Sequence, residues 1–268
     1  MLYPNCTRLV ALALLVLGLS APAGAAREKK ALIIANAAYE NLPALVSPTA
    51  DAAAYDRAFA AMGFKTTRLT DQTADGLLDG LEAFADGVGP GDTVAFVYSG
   101  HGWSDGAASF LIPTDAPTAG SDRKLRRSTV VLRDGQNGVL DILEESGASL
   151  VFAGIDACRD NPFTPAAGTR SAGLSRGLAR LDAPVGTFVV YSAGEGQQAL
   201  DRLPGDGPGE KLSVFARNFV PRLKAGVDLR TAVQQARFDT AEQAKGFDGH
   251  LQHPAVYDQV LKPQICLA

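Results

Sequence analysis

Short apolar runs alternate with amphipathic stretches along most of the chain, and this alternation constrains the fold more than any other feature. Residues 31–35, 93–98, 150–155 and 187–191 are almost wholly apolar. Uninterrupted apolar runs of this length are typical of parallel strands that are covered on both faces. The segments between them carry helical patterns, so the order is β-α-β. That order predicts an α/β fold with one mostly parallel sheet sandwiched between helices.

The intervening segments show apolar residues at helical spacing. Residues 49–62 and 75–87 have this pattern, and the first helix is predicted to end at Gly63 and the second at Gly87. The other predicted elements are a strand at 64–69, a hairpin-like excursion at 110–113 and helices near 136–146, 211–224 and 228–244.

Length and composition narrow the class of protein. The chain has 268 residues, of which 46% are hydrophobic and 20% charged, which is typical of a globular protein and not of a disordered one. One α/β domain of this size buries a full core, and no linker composition interrupts residues 27–268. The formal net charge is -4 with scattered Lys and Arg, so we expect no nucleic-acid partner.

The first 26 residues differ from the rest. Arg8 precedes an apolar run at 9–19, and the small residues Ala23-Gly24-Ala25 follow. This arrangement predicts a secretory signal peptide over residues 1–26. A membrane anchor is the alternative, but the run is shorter than the roughly 20 residues that span a bilayer. We expect export to the periplasm or beyond, with no stable membrane association after the signal is removed.

After that cleavage the cysteines are Cys158 and Cys266 and the histidines are His101, His250 and His253. An exported chain with two cysteines is able to form one disulfide, and a free reactive thiol is the competing interpretation. Cys266 lies close to the chain end, in a segment expected to be loose. The spacing of these residues fits no zinc motif, so neither a metal nor a cofactor is predicted.

Two strand ends carry chemically active side chains. Ligands of parallel sheets bind beyond the carboxyl ends of the strands. His101 follows the strand that ends at Tyr98, and Cys158 follows the strand that ends at Ile155. If the two strands are neighbours, the imidazole of His101 takes the proton of the Cys158 thiol and populates the nucleophilic thiolate at neutral pH.

The glycines on either side of His101 predict a tight turn at that histidine. Such a turn brings the N–H of Gly102 near a bound carbonyl, and together with the N–H of Cys158 it forms a predicted oxyanion hole. Ser99 is the rival nucleophile in this segment. It lacks the Gly-x-Ser-x-Gly spacing of a nucleophile elbow, which argues against it.

These motifs resemble those of the caspase-like cysteine peptidases, in particular the bacterial members of the metacaspase and paracaspase branches. The similar segments are the histidine motif at 98–102 (YSGHG), the cysteine motif at 156–163 (DACRDNPF), the segment 110–117 (FLIPTDAP) and the opening strand and helix at 31–64. The resemblance covers roughly residues 28–260. It implies a Cys-His dyad and the caspase-like fold, with a mostly parallel sheet of about six strands.

The resemblance also implies a pocket in which acids hold the substrate residue before the cleaved bond (P1). The matching acids are Asp51, Asp156 and Asp201, and spacing alone places only Asp156 near the nucleophile. As alternatives, Asp51 is a helix N-terminal residue favoured by the dipole and Asp201 a solvated loop carboxylate. The predicted function is a cysteine endopeptidase that acts on protein or peptide substrates after Arg, possibly Lys. The alternative is an inactive module that binds basic peptides.

Basic residues also indicate where self-cleavage would fall if it occurs. Residues 123–127 (RKLRR) and the arginines Arg170, Arg176 and Arg180 are predicted to lie in exposed linkers, which are the preferred sites of proteolysis.

Overall fold

The computed structural model describes residues 27–158, 163, 181–194 and 196–268, and it describes Cys158 by its backbone alone. The predicted signal peptide and the arginines at 170, 176 and 180 lie outside these ranges. The strands are β1 Lys29–Ala35, β2 Lys65–Thr70, β3 Thr93–Ser104, β4 Ser109–Leu111, β5 Val130–Val131, β6 Leu150–Cys158, β7 Thr187–Tyr191 and β8 Ala255–Asp258. The helices are α1 Pro48–Ala61, α2 Ala74–Asp86, α3 Asp122–Arg127, α4 Val139–Glu145, α5 Val214–Phe219 and α6 Leu229–Lys245.

The main sheet has the order β2-β1-β3-β6-β7-β8. The first five strands run parallel to one another, and β8 pairs antiparallel with β7. Strands β4 and β5 form a small antiparallel extension from the end of β3. The predicted mostly parallel sheet between helices is therefore confirmed, and β8 is an edge strand that the sequence pattern did not reveal.

Helices cover both faces of the sheet, which explains why the central strands are apolar on both sides. In β1, Ala31 and Ile33 are fully buried against the cluster that includes α1, α5 and α6. Their neighbours Leu32 and Ile34 are fully buried on the other face, against α2 and α4. Fully burying a side chain of this size contributes about 1.5–3 kcal/mol. Because successive side chains of β1 point to opposite faces, the strand packs against helices on both sides and the fold has three layers, helix, sheet and helix.

The helix boundaries follow local signals. The Thr73 side chain accepts a hydrogen bond from the backbone N–H of Gly76 at 3.2 Å and so caps the start of α2. The helix ends at Asp86 with Gly87 as its C-cap. Both α1 and α2 agree with the predicted helices to within one residue at each end.

The predicted turn at His101 is wrong, because β3 continues through His101 to Ser104. Two partners keep the backbone extended there. On one side β3 pairs with β6 as far as the register pair His101 and Cys158, and on the other side Gly102 to Ser104 pair with β4. Pairing on both sides of the strand favours an extended backbone over a turn.

The basic segment at 123–127 is exposed at all positions except Leu125, as predicted, but it is a helix and not a linker. It lies within α3, whose N-cap Ser121 accepts a hydrogen bond from the N–H of Lys124. Leu125 is buried, and the Arg126 guanidinium pairs with Asp105 at 2.6 Å. A protease needs an extended backbone, so these contacts argue against self-cleavage here.

The C-terminal segment is packed, contrary to the loose tail expected from its position. Ile265 and Leu267 are buried, and the backbone N–H of Ile265 donates to the Asp228 carboxylate at 2.8 Å. Cys266 forms a backbone bridge with Asp228 and its thiol is exposed and free. None of the helices in the described ranges has the length and apolar character needed to cross a membrane.

Candidate active site

His101 and Cys158 lie side by side on neighbouring strands. They are direct register partners in the parallel pairing of β3 with β6, and Cys158 is the last residue of β6. Adjacent strands lie about 4.8 Å apart, so the two residues share one edge of the sheet. Gly102, the predicted oxyanion donor, is one residue further along β3, opposite Leu111 of β4.

The segment between β1 and α1 holds the His101 ring from two sides. The rings of Tyr39 and His101 lie 4.5 Å apart, and the backbone N–H of His101 donates to the Tyr39 hydroxyl at 2.7 Å. The imidazole Nε2 lies 2.8 Å from the carbonyl oxygen of Pro43. Because a carbonyl only accepts hydrogen bonds, Nε2 carries the proton, and in the neutral ring Nδ1 is left as the proton acceptor.

The protonation of His101 follows from its surroundings. Burial lowers the pKa of the imidazole, while the Pro43 carbonyl and the negative charge of Asp201 oppose that shift. The ring is therefore neutral at pH 7 and available as a general base.

Gly100 has a packing role next to this histidine. A Cβ atom at Gly100 would come within 2.6 Å of the Tyr98 hydroxyl and 2.7 Å of the Tyr39 hydroxyl. The Tyr98 hydroxyl in turn lies 2.8 Å from the carbonyl oxygens of both His101 and Ile112, which share its one proton. The glycine thus makes room for the two tyrosines that fix the His101 backbone.

A cleft opens at the same edge of the sheet. We call it the acidic cleft; its polar lining comes from Ser47, Ser99, Asp156, Asp201 and Ser213. Within the described residues, the ion pairs found in the structure involve none of its carboxylates. An acidic lining without a cationic partner is complementary to a positively charged ligand.

Asp156 lies two residues before Cys158 and is almost completely buried. The Ser213 hydroxyl donates to its carboxylate at 2.5 Å. Burial raises the pKa of Asp156 to about 6; the Ser213 hydrogen bond opposes this shift and the charge of Asp201 adds to it. At neutral pH most of the Asp156 carboxyl is ionised, and a minor fraction remains protonated because its pKa is only about one unit lower.

Asp51 lies behind the cleft wall and does not line it. It is fully buried in the first turn of α1. Its carboxylate accepts hydrogen bonds from the Ser99 hydroxyl and the Ser213 backbone N–H, each at 3.0 Å. Burial and the charge of Asp156 raise the pKa of Asp51 well above its ordinary value. Ser99, the rejected nucleophile, is a hydrogen-bond donor to this acid.

Asp201 is not the solvated loop carboxylate of the alternative interpretation. One carboxylate oxygen accepts the backbone N–H of Ser47 at 2.8 Å, and the other accepts that of Val46 at 2.9 Å. Asp201 is half-buried and lines the acidic cleft together with Asp156. Two of the three predicted acids thus meet in one cleft, and the third acts from behind it.

The sequence interpretation missed the residues that hold these groups in place. Tyr39 and Pro43 belong to an irregular segment without a motif, so nothing local points to them. Ser213 caps α5, and its Ser-x-x-Ala pattern indicates a helix start but not the contacts with two acids. Among the described residues, no group of three or more His, Cys, Asp or Glu is arranged to hold a metal ion.

A histidine and a cysteine on neighbouring strand ends are the two residue types that a hydrolase with a cysteine nucleophile requires. The family model of the caspase domain, Peptidase_C14, matches residues 28–264. The chain belongs to the caspase-domain family, which confirms the resemblance seen in its motifs and makes it a cysteine-type peptidase.

Two curated proteins share a shorter stretch of similarity. They are mucosa-associated lymphoid tissue lymphoma translocation protein 1 of Homo sapiens and its homolog in Mus musculus. Each is 30% identical over 92 residues, which is 34% of this chain and 11% of the relative. The chain therefore matches about a ninth of the length of these relatives.

Proposed function

We propose that the protein is a cysteine endopeptidase that cleaves peptide bonds after arginine, and less efficiently after lysine. The observation that carries the specificity is the acidic cleft beside the His101–Cys158 register pair, where Asp156 and Asp201 form no ion pair with any residue that the structure describes. Caspase-domain membership supports the class of reaction.

The reaction uses Cys158 as nucleophile and His101 as base. Nδ1 of His101 accepts the thiol proton, and the thiolate attacks the scissile carbonyl carbon. In this proposal the N–H groups of Gly102 and Cys158, at the end of the β3–β6 pairing, are the donors to the tetrahedral oxyanion even though the chain does not turn at His101. One such donor contributes on the order of 10²–10³ in rate. The imidazolium then gives its proton to the leaving amine, and water hydrolyses the resulting thioester.

The cleft favours arginine for geometric and electrostatic reasons. A guanidinium is planar and carries five donors, so it is suited to engage more than one carboxylate. The cleft has a volume of about 20 Å³ and must widen to admit the group between Asp156 and Asp201. An ammonium is a point charge and satisfies such a pair less well. An acidic P1 side chain would meet like charges in a partly desolvated cleft, at a cost of several kcal/mol.

Profiling of the P1 residue tests this proposal. We expect kcat/KM to fall in the order Arg, Lys, citrulline, Asp, and the Asp peptide to be more than about a hundredfold slower than the Arg peptide. Citrulline is the matched control because it keeps the shape of arginine and lacks the charge. A best rate with the Asp peptide would overturn the specificity, and binding of Arg peptides without turnover would indicate the inactive module.

We also propose that the chain is exported and keeps Cys158 as a free thiol. Cys266 forms a backbone bridge with Asp228, which precedes α6. Arg230 in the first turn of α6 donates to Asp258 of β8, and Asp258 pairs with Phe188 near the amino end of β7. Cys266 therefore lies toward the edge of the sheet where the parallel strands begin. Cys158 ends β6 at the opposite edge. In a non-reducing mass spectrum we expect a chain that begins near Ala26 or Arg27 without a link between the cysteines. A linked peptide as the main species would contradict this.

A further inference from the structure

The segment 36–47, which we call the histidine loop, contacts His101 at its backbone and at its ring. Its Tyr39 hydroxyl and ring contact the backbone and the ring of His101, and its Pro43 carbonyl accepts the Nε2 proton. Pro43 is 58 residues away from His101 in the sequence. Nothing in the local backbone of β3 therefore ensures that this hydrogen bond forms.

Carboxylates from outside the loop tie down both of its ends. At the start, one oxygen of Asp71 accepts the backbone N–H groups of Ala37 and Ala38 at 2.8 and 2.9 Å. At the end, the two oxygens of Asp201 accept the N–H groups of Val46 and Ser47 at 2.9 and 2.8 Å. The loop also closes on itself, since the N–H of Leu45 donates to the carbonyl of Ala37 at 3.1 Å.

These two carboxylates differ in one respect. Asp71 follows β2 and does not line the acidic cleft, whereas Asp201 lines the cleft and fastens the loop at the same time. Asp201 reaches the loop from 154 residues away, beyond β7. A single side chain thus connects the place where we expect the P1 cation to bind with the segment that holds the base.

We propose that Asp201 is a positioning residue for His101: by fastening residues 46 and 47 it keeps the Pro43 carbonyl on Nε2 and so maintains the tautomer with Nδ1 as base. This role rests on the proposed function, in which Asp201 also contacts the P1 residue. The Nε2 hydrogen bond matters because the other neutral tautomer presents a proton and not a lone pair at Nδ1. Misplacement of a reacting group by about 1 Å costs on the order of a hundredfold in rate.

Asp201→Asn disrupts the pair of hydrogen bonds to the N–H groups of Val46 and Ser47 with little change in side-chain size. An amide offers one acceptor oxygen where the loop presents two N–H donors, and its NH₂ group then faces one of them. We expect a mixture of His101 tautomers and a lower pKa of the imidazole. On the citrulline peptide, where charge attraction is absent, kcat should fall on the order of 10- to 100-fold.

Two further variants separate the roles. Asp71→Gly releases the other end of the loop, and glycine accepts the positive φ of 52° at that position. It should disturb the His101 tautomer and leave the preference for arginine over citrulline intact. Asp156→Asn removes a cleft carboxylate that does not touch the loop, so it should lower that preference and leave the tautomer unchanged.

The measurement is ¹⁵N NMR of the imidazoles across a pH titration. The chain has three histidines, and His101→Gln assigns the signal. This readout does not require peptidase activity. An undisturbed His101 in Asp201→Asn overturns the positioning role even if the wild type is active. A wild type without turnover, with His101 disturbed in Asp201→Asn, overturns only the proposed function. If Asp201→Asn does not fold, Asp201→Glu, which moves the oxygens by one methylene, is measured against the same two outcomes.

Discussion

Replacing Cys158 with alanine is expected to lower kcat/KM on an arginine peptide by about 10⁴-fold or more, because alanine removes the proposed nucleophile. His101→Ala should cost nearly as much, since the thiol then lacks its base. The double variant should be no worse than Cys158→Ala, because groups that act as one unit are not additive.

Cys266→Ser is the matched control for this experiment. Cys266 is the exposed thiol of the C-terminal segment and lies at the opposite edge of the sheet from the proposed dyad. We expect its replacement to leave kcat/KM within about twofold of the wild type, as for a surface substitution away from the site. Full activity of Cys158→Ala, or loss of activity in Cys266→Ser, would contradict the assignment of the nucleophile.

Asp156→Asn is expected to lower kcat/KM on the arginine peptide by about 10²–10³-fold and to change the citrulline rate far less. Removing one partner of a desolvated charge pair costs about 2–5 kcal/mol, and each 1.4 kcal/mol is tenfold. Asparagine keeps an oxygen that accepts the hydrogen bond of Ser213, so the fold is preserved. Equal losses on the two peptides would mean that Asp156 does not recognise the charge.

The same variant should be more stable than the wild type, which separates a binding role from a structural one. The folded-state pKa of Asp156 is raised to about 6, and the unfolded value is about 3.9. Between these two pH values the folded wild type binds more protons than the unfolded chain, so its free energy of unfolding decreases as the pH rises. The advantage of Asp156→Asn should therefore grow from near zero at about pH 4 to its full value above about pH 6. Denaturant unfolding at pH 4, 5, 6 and 7.5 measures it; a variant less stable than wild type at pH 7.5 would contradict it.

Local patterns were enough for the elements whose neighbours are also local. The helices α1 and α2 and the buried strands β1 and β7 could be predicted because apolar spacing, caps and glycines lie within each segment. The extension of β3 through His101 could not, since it depends on pairing with β4 and β6. Helix α3 could not be predicted either, because its sequence is basic except for one buried leucine. Nor could β8, which is a strand only because it pairs with the edge of β7.

The sequence by itself determined the sheet class, the two strand ends that carry His101 and Cys158, and the three acids taken from the family resemblance. Only the tertiary structure decided that Asp51 lies behind the cleft wall and that Asp201 fastens the histidine loop. It also decided which imidazole nitrogen carries the proton, through the carbonyl of Pro43. The physical reason is that hydrogen bonds between segments 58 to 154 residues apart leave no periodic signal in either segment. They form only when packing of the apolar faces has brought the segments together.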